Sequence, residues 1–199
     1  MITAILLAAG ASRRMGPANK LMLSYEGKPM LLHTLDALIE SKIERIIVVK
    51  GHQPEAVEAT IKDRTVRSVC NPDWERGMTG SIQAGVGIAD LGSSGYMICQ
   101  ADMPDILTST YNKLYDRFFK LDSGQQILLP AFKKKRGNPV LFGRSYRQEI
   151  LRHTEPEGCR ALVKKNSSRV SIVEVDDPGI LRDIDTPKEF QLRNKRRFS

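Results

Sequence analysis

The stretch that decides the fold is Ile5–Leu21, ILLAAGASRRMGPANKL. An apolar run stops at Gly10 and gives way to Ser12, Arg13, Arg14, Gly16, Pro17 and Lys20 before the next apolar residues. A run apolar on both faces and ended by glycine reads as a buried strand feeding a loop. Glycine tolerates backbone dihedrals that a Cβ forbids and lets main-chain N–H groups approach an anion. Ser12 adds a hydroxyl donor, and Arg14 and Lys20 add positive charge. Two familiar phosphate loops do not fit. A P-loop needs GxxxxGK[ST], whereas Pro17 follows Gly16 here, and no GxGxxG is present.

Outward from this loop, short β-rich runs alternate with segments of helical period. Thr3–Ala8, Arg45–Lys50, Arg67–Cys70, Tyr96–Gln100 and Gln126–Leu129 read as strands. Met30–Ser41, Pro54–Lys62, Ser81–Ala89, Thr108–Phe119 and Arg144–Leu151 read as helices. Strictly alternating strands and helices build an open α/β sheet with right-handed crossovers. Two later strands, Asn138–Phe142 and Val170–Val175, are expected to add a small antiparallel edge or subsheet. The fold class expected is therefore α/β: a three-layer, open, mostly parallel, Rossmann-like sheet with a small C-terminal antiparallel addition. No repeat or linker divides the chain, so residues 1–199 are read as one domain, with 190–199 as a basic, solvated tail.

With 199 residues, 41% hydrophobic and 27% charged, the chain is long enough for a substantial core. No apolar stretch reaches the roughly 18 residues of a membrane-spanning helix. The first apolar run has no basic segment before it, so a cytoplasmic location is expected. Cys70, Cys99 and Cys159 are odd in number and lack a CxxC, which argues against a disulfide framework or a zinc site. The net charge of +8 favours an anionic partner. Aromatic residues make up only 6% and interleave with no basic stripe, so nucleic acid is the weakest of the anionic candidates.

In open α/β sheets, ligands bind at the carboxyl ends of strands near a switch in strand order. Three further stretches belong there. In YMICQADMPDI a strand ends on Asp102, and Met103-Pro104 forces an extended exit. A carboxylate beside incoming phosphates calls for a divalent cation between them, and Mg²⁺ is the oxygen-seeking ion that commonly serves; Asp102 is the first metal candidate. In LRDIDTPKEF, Asp183 and Asp185 would share a face if extended, but Asp185-Thr186-Pro187 equally resembles a helix N-terminus. In NPDWERGMTGSIQAGV a strand leaves through Asn71-Pro72, passes Gly77 and Gly80, and enters a helix near Ser81 whose first amides can serve a base or ribose. Trp74 can stack on a ligand, although packing is the commoner role. His33, His52 and His153 receive no catalytic part.

Taken together these blocks give a resemblance. The chain resembles the nucleotidyltransferase family that includes molybdenum cofactor cytidylyltransferase and its guanylyltransferase relative. LAAGASRRMGPANKL matches the LAAGxSxRMGxxxK signature; GMTGSIQAGV, ADMP, GNPVLF and VDDPGILRDIDTPKEF follow in the family's order, from Ile5 to Phe190. The resemblance implies that Leu7, Ala8, Ala9, Gly10 and Ser12 contact a nucleotide and that Arg14 and Lys20 hold its phosphates. It also implies that Asn71 and Gly77–Ser81 lie along base and sugar, and that Asp102 and Asp185 bind Mg²⁺. Arg14, Lys20 and Asp102 are the expected catalytic residues.

The implied reaction is attack of an acceptor phosphate on the α-phosphorus of a nucleoside triphosphate, with pyrophosphate leaving. Cytidylyl members resemble this chain in carrying LAAG where guanylyl members show LAGG, and the Ala9 methyl would narrow the pocket against a purine; CTP is the preferred nucleotide. The C-terminal blocks favour molybdopterin as acceptor, with a molybdoenzyme or its chaperone as onward partner. Asn138 stands where many members have histidine, retaining hydrogen-bonding capacity without imidazolium charge. The alternatives weighed are GTP as donor, a sugar or polyol phosphate as acceptor, and a basic nucleic-acid-binding protein.

Overall fold

The computed structural model describes residues 1–15, 19–121, 124–156 and 158–195. Gly16 and Pro17 of the opening loop, and residues 196–199 of the expected tail, lie outside them. Residues 190–195 are not a solvated tail but the end of a helix, Pro187–Lys195, held by Phe190 against Tyr25 and by Glu26 N–H donating to Asn194 Oδ1.

The strands are β1 (Ile2–Ala8), β2 (Ser24–Tyr25), β3 (Lys28–Pro29), β4 (Arg45–Lys50), β5 (Arg67–Cys70), β6 (Gly95–Gln100), β7 (Ile127–Phe132), β8 (Lys135–Arg136), β9 (Val140–Gly143) and β10 (Val170–Glu174). The helices are α1 (Met30–Ile39), α2 (Pro54–Ile61), α3 (Met78–Ile88), α4 (Thr108–Lys120), α5 (Arg147–Arg152), α6 (Arg160–Lys165) and α7 (Pro187–Lys195). The main sheet runs β10-β7-β9-β6-β1-β4-β5, with β8 paired to β7, and β2-β3 form a separate hairpin.

Side-chain alternation along β1 explains the layers. Ala4, Leu6 and Ala8 face α1, α2 and α4 through Leu31, Leu35, Val57, Tyr111 and Leu114, whereas Ile5 faces α3, α5 and α6 through Ile82, Val86, Ile150 and Leu162. Each fully buried leucine or isoleucine on these faces contributes about 2 kcal/mol. The expected three-layer α/β sheet is thus present, and the cysteines are free thiols, with Cys99 buried in β6.

One detail differs from expectation. The strand expected over 138–142 is not at an edge: β9 lies inside the sheet, antiparallel to both β6 and β7. The outer strand β10 pairs parallel with β7. A short apolar strand such as VLFG carries no mark of its direction, and buried ladder groups must be paired whichever way it runs. The consequence matters for the site. Because β9 reverses twice, β6, β7 and β10 all point their carboxyl ends to the same edge as β1.

β1 is flanked by β4 on one side and β6 on the other. The chain therefore turns one way after β1 and the other way before β6, which places the switch in strand order between these two strands. A closing segment, Pro178–Asp185, crosses this edge. It is fixed by Asn138 N–H to Ile180 O at 3.0 Å and by Ile184 N–H to Asp102 O at 2.9 Å. Asp177, almost fully buried, accepts from Leu107 N–H and Thr110 Oγ1 at the start of α4 and from Gly179 N–H.

Candidate active site

The loop after β1 enters the crevice through Gly10 and a left-handed Ser12 (φ 54°) into a 3-10 turn, Arg13–Met15. A second 3-10 turn, Lys20–Met22, is capped by Asn19, whose Oδ1 accepts from Leu21 N–H at 3.1 Å. This cap fixes the Lys20 backbone at the crevice floor, where the residue is only 7% exposed.

Three distant segments meet at that lysine. Lys20 Nζ lies 2.8 Å from Asp102 Oδ2 and 2.6 Å from Asp185 Oδ1, and Arg14 reaches Asp185 Oδ2 at 2.5 Å. Burial alone would lower the lysine pKa, but the charges and hydrogen bonds of Asp102 and Asp185 outweigh it and raise it. Burial pushes Asp185 upward, yet the hydrogen bond and charge of Lys20, with Arg14, hold it below the usual carboxylate range. Asp183 moves the other way, raised by desolvation and by the negative charges of Asp185 and Asp102.

The two readings of Asp185-Thr186-Pro187 are resolved by a division of labour. Thr186 caps α7: its Oγ1 accepts from Glu189 N–H, and the Glu189 carboxylate accepts from the N–H groups of Asp185 and Thr186, a reciprocal capping box. The Asp185 side chain is thereby left to face Lys20 and Arg14. Asp183 is exposed, in a segment that is not a strand, and does not join its neighbour on Lys20.

Two adjoining cavities share Leu7, Gly10, Arg13 and Asp102. One, of about 330 Å³, is bounded by Ser12, Arg14, Lys20 and Asp185. The other, of about 340 Å³, is bounded by Ala9, Trp74, Gly77, Ser81 and Gln100. Cation-lined and wider apolar halves meeting at Asp102 suit a phosphate chain and a nucleoside respectively. Among the described residues, Ser12 Oγ and Asp102 Oδ1 are buried with no hydrogen-bond partner, as expected of groups shaped for a ligand.

The wall of the wider cavity depends on two glycines. A Cβ on Gly51 would fall 2.7 Å from the Cβ atoms of both Ala9 and Trp74, so only glycine lets these two pack together. Gly77, at φ 114°, faces the Pro156 carbonyl, to which Met78 N–H donates at 3.1 Å. That bond starts α3 at Met78, three residues before the expected Ser81.

Two expected nucleotide contacts sit differently. The Ala8 side chain is buried in the core, and Asn71 is buried with its Nδ2 donating to Ser81 Oγ at 3.0 Å and its Oδ1 accepting from Asp73 N–H. Neither lines the cavities. Arg13 was missed: it lines both cavities and pairs with Glu75 at 3.7 Å across the rim. Its adjacency to Arg14 was the available signal. Trp74 both lines the cavity and packs edge-on against His52. His33 and His153 bond backbone carbonyls of Tyr25 and Gly158, away from the crevice.

Comparison with known proteins agrees with this architecture. The chain is 24% identical to nicotine blue oxidoreductase of Paenarthrobacter nicotinovorans, covering 95% of this chain and 94% of the relative. It is 28% identical to purine catabolism protein PucB of Bacillus subtilis (94% and 93%) and 26% identical to molybdenum cofactor cytidylyltransferase of Escherichia coli (98% and 96%). Among solved structures, Rv0371c of Mycobacterium tuberculosis H37Rv matches with a TM-score of 0.85 at 25% identity, over 98% of this chain and 97% of that one. A complex of Rv0371c with manganese matches with a TM-score of 0.75 at 22% identity, over 98% of each chain. The sequence profile of the MobA-like NTP transferase domain fits residues 4–170. With most of its length inside that profile, the chain belongs to the MobA-like NTP transferase family, as a nucleotidyltransferase.

Proposed function

We propose that this protein transfers CMP from CTP to the terminal phosphate of molybdopterin, with Mg²⁺ and release of pyrophosphate, in the cytoplasm. The observation that carries the reading is the convergence of Arg14, Lys20, Asp102 and Asp185 on one cavity at the switch in strand order. An acceptor phosphate oxygen attacks the α-phosphorus of CTP in line. The new P–O bond forms as the bond to the β-bridging oxygen breaks, and the electron pair leaves with pyrophosphate.

A phosphate dianion carries no proton that must be removed, so no general base is required. The protein's task is to bring anions together and neutralise charge on the leaving group. Arg14 and Lys20 supply fixed positive charge, and Ser12 Oγ and the loop amides supply donors. Among the described residues no three carboxylates, imidazoles or thiols gather as a metal cage. Two carboxylates, one with a buried unpartnered oxygen, suit Mg²⁺, which is commonly held by one or two carboxylates plus substrate phosphates. When bound there, the ion would supply Lewis-acid neutralisation of the phosphates. The manganese complex of Rv0371c supports a divalent cation. Among the described residues no helix is long and apolar enough to cross a membrane.

The choice of CTP rests on Ala9 in the wall of the wider cavity; the choice of molybdopterin rests on similarity to the E. coli cytidylyltransferase. A molybdoenzyme or its chaperone would then receive the product. A second reading keeps the transfer chemistry and changes the acceptor, since relatives named for other processes match over a similar length. The test is pyrophosphate release from each of CTP, GTP and ATP with molybdopterin or a sugar phosphate. Release from CTP with molybdopterin supports the proposal; release only with another acceptor selects the second reading.

A further inference from the structure

We propose that Lys20 is a gate on the metal site: in the nucleotide-free protein its ammonium occupies the place between Asp102 and Asp185 where the cation would bind, and the incoming triphosphate draws it away. This rests on the reading of Asp102 and Asp185 as metal carboxylates. The geometry is direct. Lys20 Nζ is within 2.8 Å of Asp102 Oδ2 and Asp185 Oδ1, distances that leave no room for a second cation between those two oxygens, while the unpartnered Asp102 Oδ1 is ready for the ion once the ammonium has left.

The charge balance points the same way. Arg14 pairs with Asp185 and Lys20 with both Asp102 and Asp185, so these four side chains are together formally neutral. A dication approaching this neutral quartet gains little attraction and meets an ammonium at contact range. If the ammonium leaves, the two carboxylates regain their charge toward the cation.

The side chain is able to leave while its backbone stays. Asn19 Oδ1 caps the 3-10 turn, and Met22 N–H to Asn19 O at 3.0 Å holds it, but the lysine stem ends in a freely rotatable ammonium. The same small cavity contains Ser12, Arg14 and Lys20, so phosphates bound there lie within reach of the lysine and offer it a stronger field of negative charge. Metal and nucleotide binding are then mutually dependent: each tightens the other by the same factor. The benefit to the enzyme is that a cation is recruited only with its substrate.

The test uses the full chain with Mn²⁺ as probe, free Mn²⁺ being read by electron paramagnetic resonance with and without CTP and with no acceptor present. Lys20→Met and Lys20→Gln are compared with wild type, folding being checked by circular dichroism. Without CTP, both variants are expected to bind Mn²⁺ at least about tenfold more tightly than wild type, through removal of a like charge at contact range. CTP is expected to tighten Mn²⁺ binding strongly in wild type and less in the variants. Folded variants whose nucleotide-free Mn²⁺ affinity equals or falls below that of wild type overturn the gate. Wild-type protein that retains no more Mn²⁺ with CTP than CTP alone accounts for overturns the metal assignment itself, and the gate with it.

Discussion

Ile184 donates its backbone N–H to the Asp102 carbonyl at 2.9 Å, locking the closing segment to the end of β6. The Ile184 side chain is fully buried, with Asp183 and Asp185 on either side of it in sequence. One residue thus anchors Asp185 in reach of Asp102 through both a hydrogen bond and a core contact. Ile184→Ala is expected to lose about 2–5 kcal/mol by cavity formation, and Ile184→Val about 0.5–1.5 kcal/mol, in denaturant unfolding. Equal, small losses for both would mean that the segment is not anchored by this side chain.

The carboxylates themselves lie at the crevice, outside the apolar core. Asp102→Asn and Asp185→Asn keep the shape of each side chain and remove its charge. Each is expected to reduce turnover at least about 100-fold, the scale seen when a preorganised electrostatic group is removed. Far-ultraviolet circular dichroism should be unchanged. A folded Asp102→Asn protein with wild-type turnover would remove this residue from the reaction.

Much of this site was legible because its residues follow strand ends. Gly10 and Asp102 terminate apolar runs, and a sheet gathers the carboxyl ends of parallel strands at one edge. The pairing of Arg14 with Asp185 spans 171 residues and has no local signature. Asn71 was expected along base and sugar because the family resemblance implied it; its burial against Ser81 depends on the path of α3, which a distant carbonyl, that of Pro156, helps to set. The interior position of β9 was hidden for a similar reason: strand direction is decided by the partners available, and four apolar residues do not name them.

The nucleoside wall gives a prediction about base choice. Ala9 and Trp74 approach each other over Gly51, where a Cβ would fall 2.7 Å from each. Gly51→Ala must push this wall apart, and overpacking of this kind costs about 1–3 kcal/mol. CTP binding, read by thermal shift, should weaken. Ala9→Gly should instead enlarge the cavity and raise turnover with GTP relative to CTP. An unchanged GTP-to-CTP ratio in Ala9→Gly would show that base choice lies elsewhere.

Away from the site, Asp36 on α1 joins Lys28 at 2.5 Å and Arg64 at 3.0 Å. Burial raises its pKa, but the hydrogen bonds and charges of Lys28 and Arg64 outweigh that and lower it. A carboxylate with a depressed folded pKa stabilises above its unfolded value and loses that contribution as pH falls through the folded one. Asp36→Asn should therefore be less stable than wild type near pH 7, by about 1 kcal/mol for a partly exposed pair. The difference should shrink once pH falls below about 4. A difference that grows in acid would contradict the assignment.

The hairpin joining β7 to β8 gives a test of how a phosphorylated acceptor would be attracted. Lys133 and Lys134 occupy left-handed positions (φ 49° and 65°) at its turn, and all four residues of Lys133–Arg136 are exposed. β7 ends at the same edge as β6, and the hairpin's next residues are tied to the closing segment through Asn138 N–H and Ile180 O. A positive cluster beyond the carboxyl end of β7 would raise encounter rates with an anionic substrate, and salt would screen the effect. The double substitution Lys134→Glu with Lys135→Glu should raise KM for the phosphorylated acceptor and flatten its dependence on ionic strength, while KM for CTP changes little. An equal rise in both KM values would assign the hairpin to general attraction of anions; no change in either would make it a solvated turn.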